Sequence, residues 1–419
     1  MKHWKIGVMT VAALAGLSLT ACGKGSSDSN SKDITMWVHF SNTDPEGKAL
    51  AKNIKDFNKT NKHGYHAIVK YIPRSGSGGG YEDKLNAAVN SGSLPDVLTL
   101  DGPNTAAYAN AKIIQPVGQY ITNKDDILST IKDQGTYKGK LYAVGYSESS
   151  IGFYYTKKMF KAAGISNSEL PTLNKPWTWD QFNAICKKLH DKYKSPILDM
   201  SLSDHSEMSL YSLAPFVWSA GGDITNKAGT KAIGYFNSKE TAFKFVQSLV
   251  KNKYTTVSPK DKGFETGKYA MLMTGTWEVQ TLKTQYKSLD WGVLPYPVSP
   301  KTKKLVSPTG SWQYAMSSQA KNKKAAGALV NYLAGTKASY RTDMANTVLP
   351  ARKSTSKLML KNADEATKFF IKQNQQSGHA RPVIVNYPQI TRTFAETMQD
   401  ATYKPNTDVQ SLLNKQAKV

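Results

Sequence analysis

"KLNAAVNSGSLPDVLTLDGPN", residues 84–104, carries the signals from which the fold is read. Leu85, Ala88 and Val89 recur at helical spacing and Gly92 follows, so the pattern predicts a helix that stops at the glycine. "PDVLTL" (95–100) is strand-like, and "DGPN" (101–104) is a turn signal. Working outward, "ITMWVHF" (34–40) is a short β-rich run, and "GKALAKNIKDFN" (47–58) places Leu50, Ile54 and Phe57 on one helical face. "YHAIVKYI" (65–72) reads as strand again. Strand and helix alternating in this way predict an α/β sheet with ligands at its strand ends.

A second region follows "YKGKLYAVGYSES" (137–149) and is richer in helix and aromatic residues. Its elements include "TWDQFNAICKKLH" (178–190), "MSLYSLAPFVWSAGG" (208–222) and "KETAFKFVQSLVKN" (239–252). "DWGVLPYPVSP" (290–300) reads as a strand and a Pro-broken crossover, "KAAGALVNYLAG" (324–335) as a helix stopped by Gly335, and the tail as mostly helical. The chain has 419 residues, a length that suggests about two domains.

The first residues bear on the compartment. Lys2 and Lys5 precede an uncharged apolar run from Ile6 to Leu19, followed by "LTAC" (19–22). A charged start, an apolar stretch short of a membrane span and a small-residue cleavage site describe an export signal, residues 1–21. The Leu-Thr-Ala-Cys order resembles the bacterial lipobox, which implies diacylglycerol on Cys22; the other reading is a chance cysteine in an ordinary secreted protein. "GKGSSDSNSK" (23–32) has the composition of a flexible tether. Cys186 then has no disulfide partner, and its helical neighbours Phe182, Ile185 and Leu189 make it a small core residue.

The formal charge is +24. Removing the signal takes two lysines and no acidic residue, leaving +22. Such a charge raises nucleic acid as a partner. The lysines are spread along the chain, however, and no nucleic-acid module appears, so a surface protein beside anionic lipids and wall polymers is the simpler reading.

Searches for catalytic chemistry return little. "RSGSGGG" (74–80) runs into "YEDK", without the Gly-Lys-Ser/Thr that a phosphate-cradling loop requires. "GYSES" (145–149) begins like a nucleophile elbow, but Ser149 stands where the last glycine belongs. Histidines 39, 63, 66, 190, 205 and 379 show no metal-ligand spacing, and no cofactor or metal is expected. A surface glycan-cleaving enzyme with two carboxylates at unknown separation stays open as an alternative. What stands out instead is aromatic. Trp179 beside a predicted helix start reads as core, whereas Trp277 in "TGTWEVQ" and Trp312 in "TGSWQYA" each follow a Gly-Thr or Gly-Ser turn at a sheet edge. Thr276 is expected to cap the helix that carries Trp277 in its first turn. A flat ring beside hydroxyl acceptors suits a sugar, whose ring faces carry C–H groups.

These pieces occur in an order that resembles a family. From residue 33 to about 400 the chain resembles the extracellular solute-binding proteins of bacterial sugar importers, the maltose-binding-protein-like group of ABC transporters. The resemblance runs through "KLNAAVNSGSLPDVLTL", "YKGKLYAVGYSESSIGFYYTKKMFKAAGI", "TWDQF", "SAGGD", "FETGKYAMLMTGTW", "WGVLPYPVSP", "SWQYAMSSQAKNKKAAGALVNYLAG" and "ARPVIVNYPQI". Gly145, where members often carry proline, and Thr156, in place of the asparagine of Tyr-Asn-Lys, depart from the pattern.

The resemblance implies an α/β, two-lobed periplasmic-binding-protein type II fold with ligand in the interlobe cleft. It implies an N-lobe of 33–143 and 297–335 and a C-lobe of 144–296 and 336–419. Trp277 corresponds to the family's sugar platform, Tyr211 falls on another aromatic platform, and Trp312 joins them. Asp44 and Glu46 match an acidic N-lobe loop, Asp101 and Asn104 a second loop, and Glu148 and Ser149 the crossover carboxylate. Arg381 reaches the cleft from the C-lobe, with Arg352 the weaker candidate. The implied function is capture of an extracellular carbohydrate, a di- or oligosaccharide, by lobe closure and delivery to a membrane permease served by a separate ATPase. The receptor is then a lipid-anchored monomer on the outer face of the cell membrane of a Gram-positive bacterium, performing no catalysis and binding no nucleic acid. A receptor of the same fold for glycerol phosphate or another polyol ester is the nearest alternative.

Overall fold

The computed structural model describes residues 31–74, 79–226 and 235–416. The signal segment, Cys22, most of the tether and residues 75–78 of the Gly-rich tract lie outside them.

The quoted stretch forms helix Gly79–Ser91 and strand Val97–Asp101. That strand lies inside a seven-stranded sheet of order Leu349–Pro350, Ala143–Glu148, Trp312–Ser317, Val97–Asp101, Asp33–Val38, His66–Tyr71, with Ile114–Gln115 paired to the end of Trp312–Ser317. Asp33–Val38 is parallel to both His66–Tyr71 and Val97–Asp101, while Trp312–Ser317 runs antiparallel between Val97–Asp101 and Ala143–Glu148. Period-two alternation splits the side chains between two faces. Ile34, Met36 and Val38 meet Leu50, Ile54 and Phe57 of helix Pro45–Thr60 on one face, and Leu98 and Leu100 meet Tyr81 and Leu85 on the other.

The second sheet has the order Trp291–Leu294, Ile151–Thr156, Met271–Gly275, Leu198–Asp199. Its core gathers Phe153, Met271 and Met273 with Phe182 and Cys186 of helix Trp179–Tyr193, Phe216 of helix Glu207–Ser219, and Phe394 of helix Tyr387–Tyr403. Cys186 is fully buried and unpaired, and burial pushes its thiol pKa up. That is the environment of an inert core residue.

Strand Ala143–Glu148 stays in the first sheet, although the division was expected at 143/144. Strand Ser307–Thr309 pairs with Gly378–Ala380 and packs on helices Glu207–Ser219 and Glu365–Ser377 of the second unit. Helices Thr336–Asn346 and Lys353–Asn362, expected in the C-lobe, pack on the first unit, where Asn53 bonds Ala338 and Arg341 bonds Asn53. The polypeptide thus passes between the sheets near residues 149–150, 310–311 and 363–364. The first two crossings are tied together, since Gly310 N donates to Ser149 O and Ser149 Oγ donates to Gly310 O.

Candidate functional site

A cavity of about 360 Å³ lies between the two sheets. It falls at the C-terminal ends of parallel strands, where His39 follows Asp33–Val38 and Asp101 closes Val97–Asp101. Trp312 begins the antiparallel strand directly opposite Asp101. From the second unit come Asp204, Ser206, Glu207, Met208 and Tyr211 around the start of helix Glu207–Ser219, then Trp277 and Arg381. Ser149 and Gly310 enter from the crossings.

Trp277 is placed by its own turn. It occupies the N-cap of helix Glu278–Gln285, one residue earlier than expected, and the Thr276 hydroxyl makes no capping bond. The indole folds back over Gly275, where an added Cβ would come within 2.2 Å of its ring carbons. Half-buried against the second core, the ring lines the cavity. Trp312 is held differently: the imidazole of His39 stacks on it at 3.3 Å between ring centroids and 9° between planes. His39 Nδ1 also lies 3.1 Å from Thr99 Oγ1. Burial, and then the Arg74 charge, lower the His39 pKa well below its ordinary value, so the stacked ring is neutral.

Six of the residues expected at the site line this cavity: Trp277, Trp312, Tyr211, Asp101, Ser149 and Arg381. Asp44, Glu46, Asn104 and Glu148 do not. Asp44 is exposed and accepts from Ser41 N at 3.0 Å, a local turn. Glu46 is buried between helices, accepting from Tyr146 at 2.8 Å and Asn346 at 3.0 Å, and burial raises its pKa to about 7. Asn104 ends a 3₁₀ turn without a capping bond. Glu148 lies beneath the crossing, where it accepts from Ser149 N at 2.9 Å, and burial raises it to about 7 against the opposing backbone bonds. Arg352 is also structural, donating to Ala334 O and pairing with Asp126.

Seven lining residues were not anticipated: His39, Arg74, Asp204, Ser206, Glu207, Met208 and Gly310. Glu207 had a usable signal, because it precedes Tyr211 by four positions and shares its helical face. His39 directly follows strand Asp33–Val38, ahead of the acidic loop that holds Asp44 and Glu46, and its signal is that place at a strand end. Both arginines of the cavity have carboxylate partners: Arg381 pairs with Asp101 and Glu207, and Arg74 with Glu82 at 3.0 Å.

Two α/β units enclosing a cleft at their strand ends define a type II periplasmic binding protein. A family model for bacterial extracellular solute-binding proteins matches residues 52–369, and the chain belongs to that family. A multiple sugar-binding protein of Streptococcus mutans is 22% identical over 351 residues, 78% of each chain. A maltooligosaccharide ABC transporter solute-binding lipoprotein of Streptococcus pneumoniae is 24% identical over 378 residues, 87% of this chain and 85% of its own. A solved ABC transporter solute-binding protein of Thermotoga lettingae, bound with α-D-tagatose, superimposes with a TM-score of 0.79 at 22% identity, covering 93% of this chain and 98% of that one. The family and these relatives are solute-binding proteins by name.

Proposed function

We propose that the cleft captures a neutral carbohydrate, a di- or oligosaccharide, and that lobe closure presents it to a membrane permease driven by a separate ATPase. One observation carries the reading: two indoles, Trp312 from a strand of the first unit and Trp277 from a helix cap of the second, line the same cavity. Ring faces of a sugar lie against such surfaces, and each indole offers a large apolar area to bury. The volume of about 360 Å³ falls in the range of small-ligand sites. The sugar-binding names of the relatives point the same way. Carboxylate partners on both arginines favour a neutral ligand over glycerol phosphate, since phosphate recognition needs cationic capacity.

The lobes of this reading are residues 31–148 with 312–362, and 151–309 with 365–416. Closure follows from tighter sugar contact in the closed state, because a ligand that holds both states equally shifts nothing. A thermal-shift screen of mono-, di- and oligosaccharides together with glycerol phosphates tests the ligand class. Stabilisation by an oligosaccharide supports the reading, stabilisation by a glycerol phosphate alone replaces it, and new reducing ends during incubation would reveal an enzyme. The anchor is part of the same proposal. Cys22→Ser should move the chain from the detergent phase to the aqueous phase, and retention in detergent would contradict lipidation.

A further inference from the structure

At the base of the cleft, Arg381 is 4% exposed and joins the two lobes. Its Nη1 and Nη2 donate to the two oxygens of Asp101 at 2.8 and 2.7 Å, a bidentate fork. Nη1 also reaches Glu207 Oε1 at 2.5 Å, and the Tyr387 hydroxyl donates to that same oxygen. The guanidinium carbon sits 4.5 Å from the centroid of the Tyr211 ring. Tyr211 in turn bonds Ser149 Oγ at 2.8 Å. Gly310 leaves the room for this cluster, because a Cβ there would come 2.8 Å from Arg381 Nη2 and 3.0 Å from the Tyr211 ring.

The partners divide between the lobes. Asp101 ends a strand of the first sheet, whereas Arg381, Glu207, Tyr387 and Tyr211 belong to the second unit. We infer that Arg381 is a latch: a positioning residue that clamps Asp101 of the first lobe to the second and so favours the closed cleft even without sugar. The inference rests on the hinged-receptor reading but not on the identity of its ligand.

Three features separate this role from direct sugar recognition. Two carboxylates engage Nη1 and Nη2 of Arg381 and offset its charge, and the remaining donor, Nε, is buried. The fork engages both Asp101 oxygens and so halves the acceptor sites that Asp101 can offer to hydroxyls. The arginine also covers one face of Tyr211, which leaves only the other face to the cavity, while the Tyr211 hydroxyl bonds Ser149 at the crossing. Opening the hinge leaves Arg381 with Glu207 and releases Asp101. A planar bidentate contact is lost abruptly with separation, so the pair acts as a catch between two states and not as a spring. Hydration of the released Asp101 offsets much of the Coulomb loss, which makes the latch a bias of moderate size.

The test measures the unliganded protein. Dyes on Lys55→Cys and Lys192→Cys, both exposed and one in each lobe, report the interlobe distance in a Cys22→Ser background, with native Cys186 buried. Asp101→Asn removes the anionic partner and leaves Arg381 held by Glu207. It is expected to raise the open-to-closed ratio about fivefold. Arg381→Met should produce the same shift, and the double variant no more than either. An unchanged distance distribution in Asp101→Asn, with its Tm retained, overturns the latch, as does additivity of the two variants. Should no sugar bind in any screen, the apo distance shift still stands or falls on its own.

Discussion

The two walls of the cleft hold their indoles by different means. On the first wall, Trp312 opens a central strand opposite Asp101, and His39, 273 positions earlier in the chain, lies flat against it. On the second wall, Trp277 caps a helix and rests on Gly275, two residues back. One ring is fixed by stacking and pairing between distant segments, the other chiefly by its immediate chain, with the second core behind it. A platform set by its own chain can be disabled by a local change, whereas one braced from afar shares its support among several partners.

Trp277→Ala breaks this comparison most strongly. Its sugar affinity should fall tenfold or more, about 1.4 kcal/mol or greater, with the Tm nearly unchanged, as calorimetry and thermal melting will show. Equal losses in Trp277→Ala and Trp312→Ala would mean that the walls contribute alike. Gly275→Ala should come next, because the new methyl occupies the space of the indole and pushes it from its seat. Affinity should drop severalfold while Trp277 itself remains; normal affinity would show that the ring does not need its glycine. His39→Ala sharpens the contrast from the other side. With the stack gone, the tryptophan fluorescence should shift to the red and affinity fall about two- to threefold, less than for Gly275→Ala, the lower end of what one aromatic pair supplies.

The smallest effect is on pH dependence. Glu46, buried in the first lobe with a pKa of about 7, keeps its proton in the folded state where the unfolded chain has lost it. The stability that this gives is complete below the ordinary carboxylate value and is lost as pH rises through about 7. His39 works in the opposite sense: its lowered pKa means stability present above the ordinary histidine value and lost as pH falls below it. Glu46→Gln keeps an acceptor for Tyr146 and should gain in Tm over wild type at pH 8 relative to pH 5. A difference that is the same at both pH values would show that Glu46 is ionised throughout.

What could be read from the sequence follows the same division between local and distant. Trp277, the helix–turn–strand run at 84–104 and the core role of Cys186 are written in neighbouring residues and emerged from periodicity and turn chemistry. The His39 stack, the Asp101–Arg381 fork and the membership of helices Thr336–Asn346 and Lys353–Asn362 in the first lobe depend on contacts across up to 300 positions, which no window reveals. Glu46 and Glu207 make the point together. Each stands in the first turn of a helix. The carboxylate expected at the cleft is buried between helices, while the one not anticipated pairs with Arg381. Type and local position were the same, and tertiary placement alone decided which one met the cavity.

The threefold passage of the chain between the sheets has a consequence for biogenesis. Strand Val97–Asp101 finds its neighbour Trp312–Ser317 only after some two hundred further residues exist, and Leu349–Pro350 closes the sheet later still. Long loops must be closed before such contacts reward the cost, so acquisition of the native state is intrinsically slow. For a member of an extracellular family, delay is an asset: a polypeptide that cannot complete its first sheet from its leading half stays threadable while its later strands are still being made.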